Sequence, residues 1–167
     1  MVKVEGLAKL LREHPFFRGM DSAHHDLIAG CAANEQFKPN QYIFHEGGPS
    51  DKFYVVRHGS VAIEVYVPGK EPIVVETLQA GDILGWSWVV APYRWTFDAR
   101  AVELTRCISL DAVCLRGKCE EDHSLGYEIY RRMAPVMANR LAAARLRLID
   151  MYGHPVVKAR RPRRATQ

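Results

Sequence analysis

The pattern of hydrophobic and polar residues changes twice along this chain. Residues 4–14 and 21–33 carry apolar side chains at three- and four-residue spacing, which predicts two N-terminal helices. From residue 36 to residue 111, short β-rich runs separated by Gly, Pro and Asn take over. After Leu115 the helical period returns. The pattern therefore predicts a mostly β domain with helices on both sides.

The β-rich region contains six short runs, each typical of a strand. Many short strands with turn residues between them favour a small antiparallel barrel or roll. The predicted strands are Tyr42–Phe44, Phe53–Val56, Ser60–Tyr66, Ile73–Leu78, Asp98–Val102 and Cys107–Leu110.

A long C-terminal helix is predicted at about 122–152, and five of its residues follow a heptad spacing. This spacing favours a homodimer interface, while an amphipathic helix lying on the roll is the alternative. Pro135 predicts a kink or a break within the helical pattern. The five interface candidates are Met137, Leu141, Ala144, Leu148 and Met151.

Charge divides the chain unevenly. Residues 121–167 hold ten Lys/Arg against four Asp/Glu, whereas residues 1–120 hold thirteen against fifteen, which gives +6 and −2 and the net charge of +4. The basic segment 153–167 is predicted to be disordered. Its charge favours an acidic partner such as nucleic acid, an anionic membrane or a protein, and a solvated tail is the alternative.

Hydrophobic residues make up 48% of the 167 residues, enough for one packed core. The longest apolar runs are too short for a membrane helix, and the N-terminus lacks a signal pattern, so we predict a cytoplasmic protein. The cysteines Cys31, Cys107, Cys114 and Cys119 show no metal-ligand spacing. In a cytoplasmic chain they are expected to be reduced thiols rather than bridges.

Four segments together resemble the cyclic nucleotide-binding domain of the catabolite activator and related bacterial regulators. They are His14–Phe17, Tyr42–Asp51, Phe53–Val61 and Gly81–Ala101. The resemblance covers residue 14 to about residue 152. It implies a jelly-roll-like double-stranded β-helix, N-terminal helices and a long C-terminal dimerisation helix.

The resemblance also implies a ligand site in the segment that follows Gly81. In the family, backbone N–H groups and an arginine hold the cyclic phosphate, and a glutamate accepts the ribose hydroxyl. Here Trp86 falls at the position of the glutamate and Trp95 at that of the arginine, while Arg94 precedes it and either lines the pocket or lies in solvent. The predicted ligand-binding residues are Gly85, Trp86, Ser87, Trp88, Arg94, Trp95 and Thr96.

Two functions compete at this point. The first is a non-enzymatic regulatory sensor for a small anionic or nucleotide-like ligand, in which tryptophans stack on the ligand. The second is a dimeric scaffold in which they plug the site. No nucleophile–base pair or metal constellation is visible, so enzyme activity is not expected. After Tyr152 only fifteen residues follow, too few for a helix-turn-helix, so nucleic-acid binding could come only from the basic segment, for which a solvated tail is favoured.

Overall fold

The structure, a computed structural model, describes the backbone of residues 4–152 and the side chains of residues 6–150. Two helices open the fold, α1 (Val4–Glu13) and α2 (Ser22–Ala29). The Asp21 carboxylate caps α2 by accepting the Ala23 N–H at 2.9 Å. The leucines that predicted α1 are inward-facing, with Leu7 and Leu11 buried.

Eight strands form two antiparallel four-stranded sheets, as the predicted jelly-roll-like fold requires. The first sheet has the order β1-β8-β3-β6 and the second the order β2-β7-β4-β5. The strands are β1 (Ala32–Phe37), β2 (Tyr42–Phe44), β3 (Lys52–His58), β4 (Ser60–Val65), β5 (Ile73–Gln79), β6 (Ile83–Leu84), β7 (Asp98–Ala101) and β8 (Thr105–Asp111).

The inner faces of the two sheets enclose one apolar cluster. Strand alternation explains its membership, because every second residue of β3, β4 and β7 points inward. The cluster comprises Phe37, Tyr54, Val56, Val61, Ile63, Leu78, Leu84, Trp95, Ala99, Ala101 and Cys107. A second group of rings packs outside the first sheet, where Phe16 and Phe17 contact Phe53. We call these rings the outer aromatic group.

Two helices follow the roll, α3 (Ala112–Glu121) and α4 (His123–Tyr152). The chain divides into two units, Met1–Arg132 and Met133–Gln167. Pro135 lies inside α4, so of the two predicted outcomes at this residue the break is wrong and the kink stays a prediction. The Met151 side chain and the basic segment 153–167 lie outside what the structure describes.

Two further expectations are corrected. Residues 32 and 33, predicted to be helical, begin β1, which within the described part of the chain pairs only with β8 and whose small and polar side chains give little strand signal. Cys31 and Cys114, expected to be reduced, form a disulfide with a Cα–Cα distance of 5.9 Å. Pairing of Ala32 with Leu110 brings Cys31 beside the start of α3. Cys107 and Cys119 are free and buried.

Candidate functional site

The predicted ligand segment leaves the first sheet at β6 and turns sharply at Gly85. Gly85 adopts φ +85°, a left-handed conformation that a glycine reaches without steric cost. A one-turn 3-10 helix, Ser87–Val89, follows directly. Gly85 thus allows the chain to turn from the strand into this short helix.

The Trp95 indole occupies the space in front of Gly85. A Cβ built on Gly85 would lie 2.5 Å from Trp95 Cζ3 and 2.8 Å from its Cη2, and one built on Gly48 would lie 3.6 Å from its Cδ1. The indole is 5% exposed. It stacks on Phe44 with ring centroids 3.7 Å apart and planes 6° apart. The ring thus lies between two glycines and is covered by a parallel aromatic ring.

Backbone pairing fixes Trp95 in this position. Its N–H donates to the Gly48 carbonyl at 2.9 Å, and its carbonyl accepts the Gly47 N–H at 2.8 Å. Trp95 therefore aligns with the turn that follows β2. Phe44, at the end of β2, is a site residue that the sequence reasoning missed, although its alternation in the strand was the available signal.

Arg94 lies on the surface. Its Nη1 donates to the Gly47 carbonyl at 2.7 Å, and the side chain is exposed. Thr96 is exposed as well. The guanidinium therefore binds the backbone of the same turn that pairs with Trp95.

The other two tryptophans have different surroundings. Trp86 is half-buried at the start of the 3-10 helix, and the adjacent Ser87 is buried. Trp88 is 1% exposed and packs on Phe53 with ring centroids 5.4 Å apart. Its indole Nε1 has no hydrogen-bond partner in the structure. The structure thus separates Trp88, in the outer aromatic group, from Trp95, in the inner cluster.

Arg116 of α3 contacts this segment and was also missed from the sequence. Its Nη1 donates to the Trp88 carbonyl at 2.8 Å. Its guanidinium carbon lies 4.2 Å from the centroid of the Tyr93 ring, in a cation–π contact. No sequence motif marks Arg116, because the contact depends on where α3 packs.

The chemistry of the assembled site is aromatic. The position predicted to hold an anion is filled by an indole, and the neighbouring Tyr54 ring lies 6.3 Å from that of Phe44. Burial raises the pKa of Tyr54, so this hydroxyl stays neutral. Within residues 4–152, no group of three or more His, Cys, Asp or Glu side chains is arranged to hold a metal ion.

Comparison with known proteins identifies the family. The family model described as the cyclic nucleotide-binding domain matches residues 34–122, which is more than half of the chain. The chain belongs to this family. The predicted resemblance is therefore confirmed. In catabolite-activator-like regulators such domains are non-enzymatic regulatory sensors, in agreement with the sequence prediction.

Several known proteins are similar to this chain in sequence or in structure. An HTH-type transcriptional regulator, Cmr, from Mycobacterium tuberculosis is 27% identical over 83% of this chain, which spans 56% of that protein's length. A putative cyclic nucleotide-binding protein from Geobacter metallireducens has a TM-score of 0.72 and 26% identity, covering 84% of this chain and 99% of that one.

A second solved structure is the regulatory subunit of a cAMP-independent protein kinase A from Trypanosoma cruzi bound to guanosine. It is 24% identical with a TM-score of 0.59, covering 81% of this chain and 51% of that one. This likeness concerns the fold alone. Among the helices that the structure describes, none has the length and apolar character needed to cross a membrane.

Proposed function

We propose that this chain is a regulatory domain whose phosphate site is occupied by its own Trp95, so that it does not respond to cyclic nucleotides. The supporting observation is the 2.5 Å separation between Trp95 Cζ3 and a Cβ placed on Gly85. No ligand phosphate could approach Gly85 while the indole stays there. The scaffold hypothesis from the sequence is thus favoured over the ligand-sensing one.

The energetic cost of opening the site supports the same conclusion. A buried tryptophan removes about 200 Å² from water, worth about 5 kcal/mol at about 25 cal/mol per Å². A ligand that displaced Trp95 would have to offset this free energy, which corresponds to a several-thousand-fold loss of affinity. It would also lack the charge-assisted contact with an arginine at this position.

A second candidate function is favoured by the Trp95–Phe44 stack. Phe44 stacks on the indole with ring centroids 3.7 Å apart, so the space that the indole fills has the shape of a flat aromatic group. In this alternative, the indole moves out and a small nucleoside-like or anionic ligand takes its place. Arg94 and Trp86 would then contact the ligand, together with the predicted residues Gly85, Ser87 and Thr96, whereas Trp88 packs on Phe53 and would stay outside the site.

We also propose that the chain forms a homodimer through the second part of α4. Leu141 and Leu148 of the predicted interface are 53% exposed, Ala144 is exposed and Met137 is half-buried. Exposed leucines at heptad spacing are typical of a surface that a second helix covers. A regulatory partner for the dimer, including nucleic acid at the basic segment 153–167, and the cytoplasmic location stay predictions.

Thermal unfolding with added nucleotides tests the main proposal. A ligand at a hundred times its Kd would stabilise the domain by about 2.7 kcal/mol. We expect cAMP and cGMP at millimolar concentration to leave the melting temperature unchanged. Stabilisation by either nucleotide would contradict the proposal, and stabilisation by guanosine alone would favour the second candidate.

A further inference from the structure

Two side chains of α3 itself tie it to α2 and to the chain that follows α2, and Asp122 Oδ2, directly after α3, also lies 3.5 Å from His24 Nε2 of α2. The Cys31–Cys114 disulfide joins the first turn of α3 to the residue that precedes β1. One turn further along, the Lys118 ammonium donates to the Leu27 carbonyl near the end of α2, where a cation is favourable. Of the two contacts, only the disulfide can be broken by a chemical reaction under native conditions.

On its other side, α3 holds the ligand segment. Arg116, two residues after Cys114, contacts both the Trp88 carbonyl and the Tyr93 ring. Tyr93 has φ +56°, a left-handed conformation that is costly for a bulky residue and persists only where the surroundings hold it. Its carbonyl accepts the Ser50 N–H at 2.7 Å. A movement of α3 would therefore act directly on residues 88–93.

The two free cysteines compete poorly with this pair in thiol exchange. Burial raises the pKa of Cys107 to about 12 and that of Cys119 to about 11, so neither forms much thiolate at neutral pH. Cys114, by contrast, is half-buried. Neither buried thiol therefore attacks the cross-link readily, whereas an added reductant can reach it at Cys114.

We propose that the Cys31–Cys114 pair is a redox-responsive site, and that its reduction loosens α3 and, through Arg116, the segment 86–96 that fills the phosphate site. This inference rests on the proposed function only in assuming that this segment carries the regulatory change. Reduction of this disulfide would give the domain a regulatory signal that needs no ligand at the position occupied by the Trp95 side chain. In the predicted cytoplasmic location, protein disulfides are characteristically transient or redox-sensing.

The reaction requires a dithiol reductant. One thiolate of the reductant attacks the Cys114 sulfur, forming a mixed disulfide and releasing Cys31 as a thiolate. The second thiolate then attacks the reductant's sulfur in the mixed disulfide and releases Cys114. Two electrons pass from the dithiol, which leaves as a disulfide, and the two cysteine thiolates take up the two protons that the dithiol gave up.

The test compares the oxidised chain with the chain reduced by dithiothreitol, both without denaturant. Hydrogen exchange at residues 88–93 is the main measurement, and tryptophan emission is the second, because all three tryptophans lie in the segment 86–96. We expect reduction to accelerate exchange there several-fold and to change the emission. The Cys107→Ser chain, the matched control, should respond like the unaltered chain, whereas Cys31→Ser/Cys114→Ser should not respond.

Arg116→Ala tests whether reduction acts on residues 88–93 through Arg116 or directly through loss of the disulfide. In this variant, exchange at residues 88–93 should be fast in the oxidised state and should not increase further on reduction. If reduction accelerates hydrogen exchange in Arg116→Ala as much as in the unaltered chain, the proposed role of Arg116 is overturned. Equal exchange rates in the oxidised and reduced unaltered chain would overturn the whole proposal.

Alkylation of the unfolded chain, followed by mass spectrometry, tests the bond itself independently of any variant's folding. The oxidised chain should take up two alkyl groups and the reduced chain four. Four groups on the oxidised chain would overturn the proposal. None of these readouts involves a nucleotide, so their failure is distinguishable from failure of the proposed function.

Discussion

The Trp95 indole packs directly against the backbone of Gly85. A Cβ placed on Gly85 would lie 2.5 Å from Cζ3 of the indole, so the ring fills the space that a side chain at this position would need. In this family, the glycine position lies next to the ligand phosphate according to the resemblance. In the proposed function, Trp95 takes the place of the ligand phosphate beside this glycine. The absence of a Cβ at Gly85 leaves room for the Trp95 indole to pack against the backbone.

Substitution of Gly85 by alanine should destabilise the domain for two reasons. The positive φ costs about 1–2 kcal/mol for a residue with a Cβ, and the collision with the indole adds about 1–3 kcal/mol of overpacking. Gly69→Ala is the matched control, because Gly69 has φ +77° with nothing within 4 Å of a built Cβ. Urea unfolding measures the loss of unfolding free energy in each variant, and we expect the larger loss in Gly85→Ala. Equal losses in the two variants would show that the Trp95 indole moves aside at no energetic cost.

The buried His14 should make the domain less stable in mild acid. Its Nδ1 accepts the Phe16 N–H at 3.2 Å, and its Nε2 lies 3.3 Å from the Val56 carbonyl, an arrangement that suits the neutral ring. Burial lowers the pKa of His14 below its ordinary value of 6.5. Below that pH the unfolded chain therefore binds more protons than the folded chain, and stability is lost as the pH falls towards the lowered pKa.

Urea unfolding between pH 5 and pH 8 measures this dependence. His14→Gln should lower stability at neutral pH and flatten the decline in acid. His58→Gln, at an exposed position, controls for the loss of an imidazole and should keep the profile of the unaltered chain. An undiminished decline in the His14 variant would show that another group causes it.

Glutamate at the proposed dimer interface should separate the protomers. Leu141→Glu/Leu148→Glu places charges along the heptad line, where like charges would face each other across the two helices. Leu146→Glu is the control, since Leu146 is 62% exposed but lies off that line. Sedimentation equilibrium should find a monomer for the double variant and a dimer for the control. Dissociation of the control as well would contradict the proposed interface.

Much of the fold could be predicted from the sequence because local patterns determine it. All six predicted strands exist, α1 and α4 lie close to their predicted ranges, and α2 begins where it was predicted but ends at Ala29. The strand β6 was missed, since two residues give no periodic signal. Local patterning thus identified the elements that carry several apolar residues and missed the very short or polar ones.

The contacts of the site could not be predicted in the same way. Whether Trp95 lines or fills the pocket depends on Phe44, which is 51 positions earlier (95 − 44) and reaches it through the pairing of β2 with β7. The Cys31–Cys114 bond, with a sequence separation of 83, depends on the register of β1 with β8. Both relationships arise from strand pairing between distant segments, which residue type and spacing do not encode.

Isothermal titration of cAMP into the unaltered chain and into Trp95→Arg tests the central claim most directly. The substitution removes the indole and restores a guanidinium that can bind phosphate with charge-assisted hydrogen bonds. Trp95→Leu is the control that opens the site without adding charge. We predict no measurable binding by the unaltered chain and at least a hundredfold tighter binding by Trp95→Arg than by Trp95→Leu. Binding of cAMP by the unaltered chain as tight as by Trp95→Arg would contradict the account.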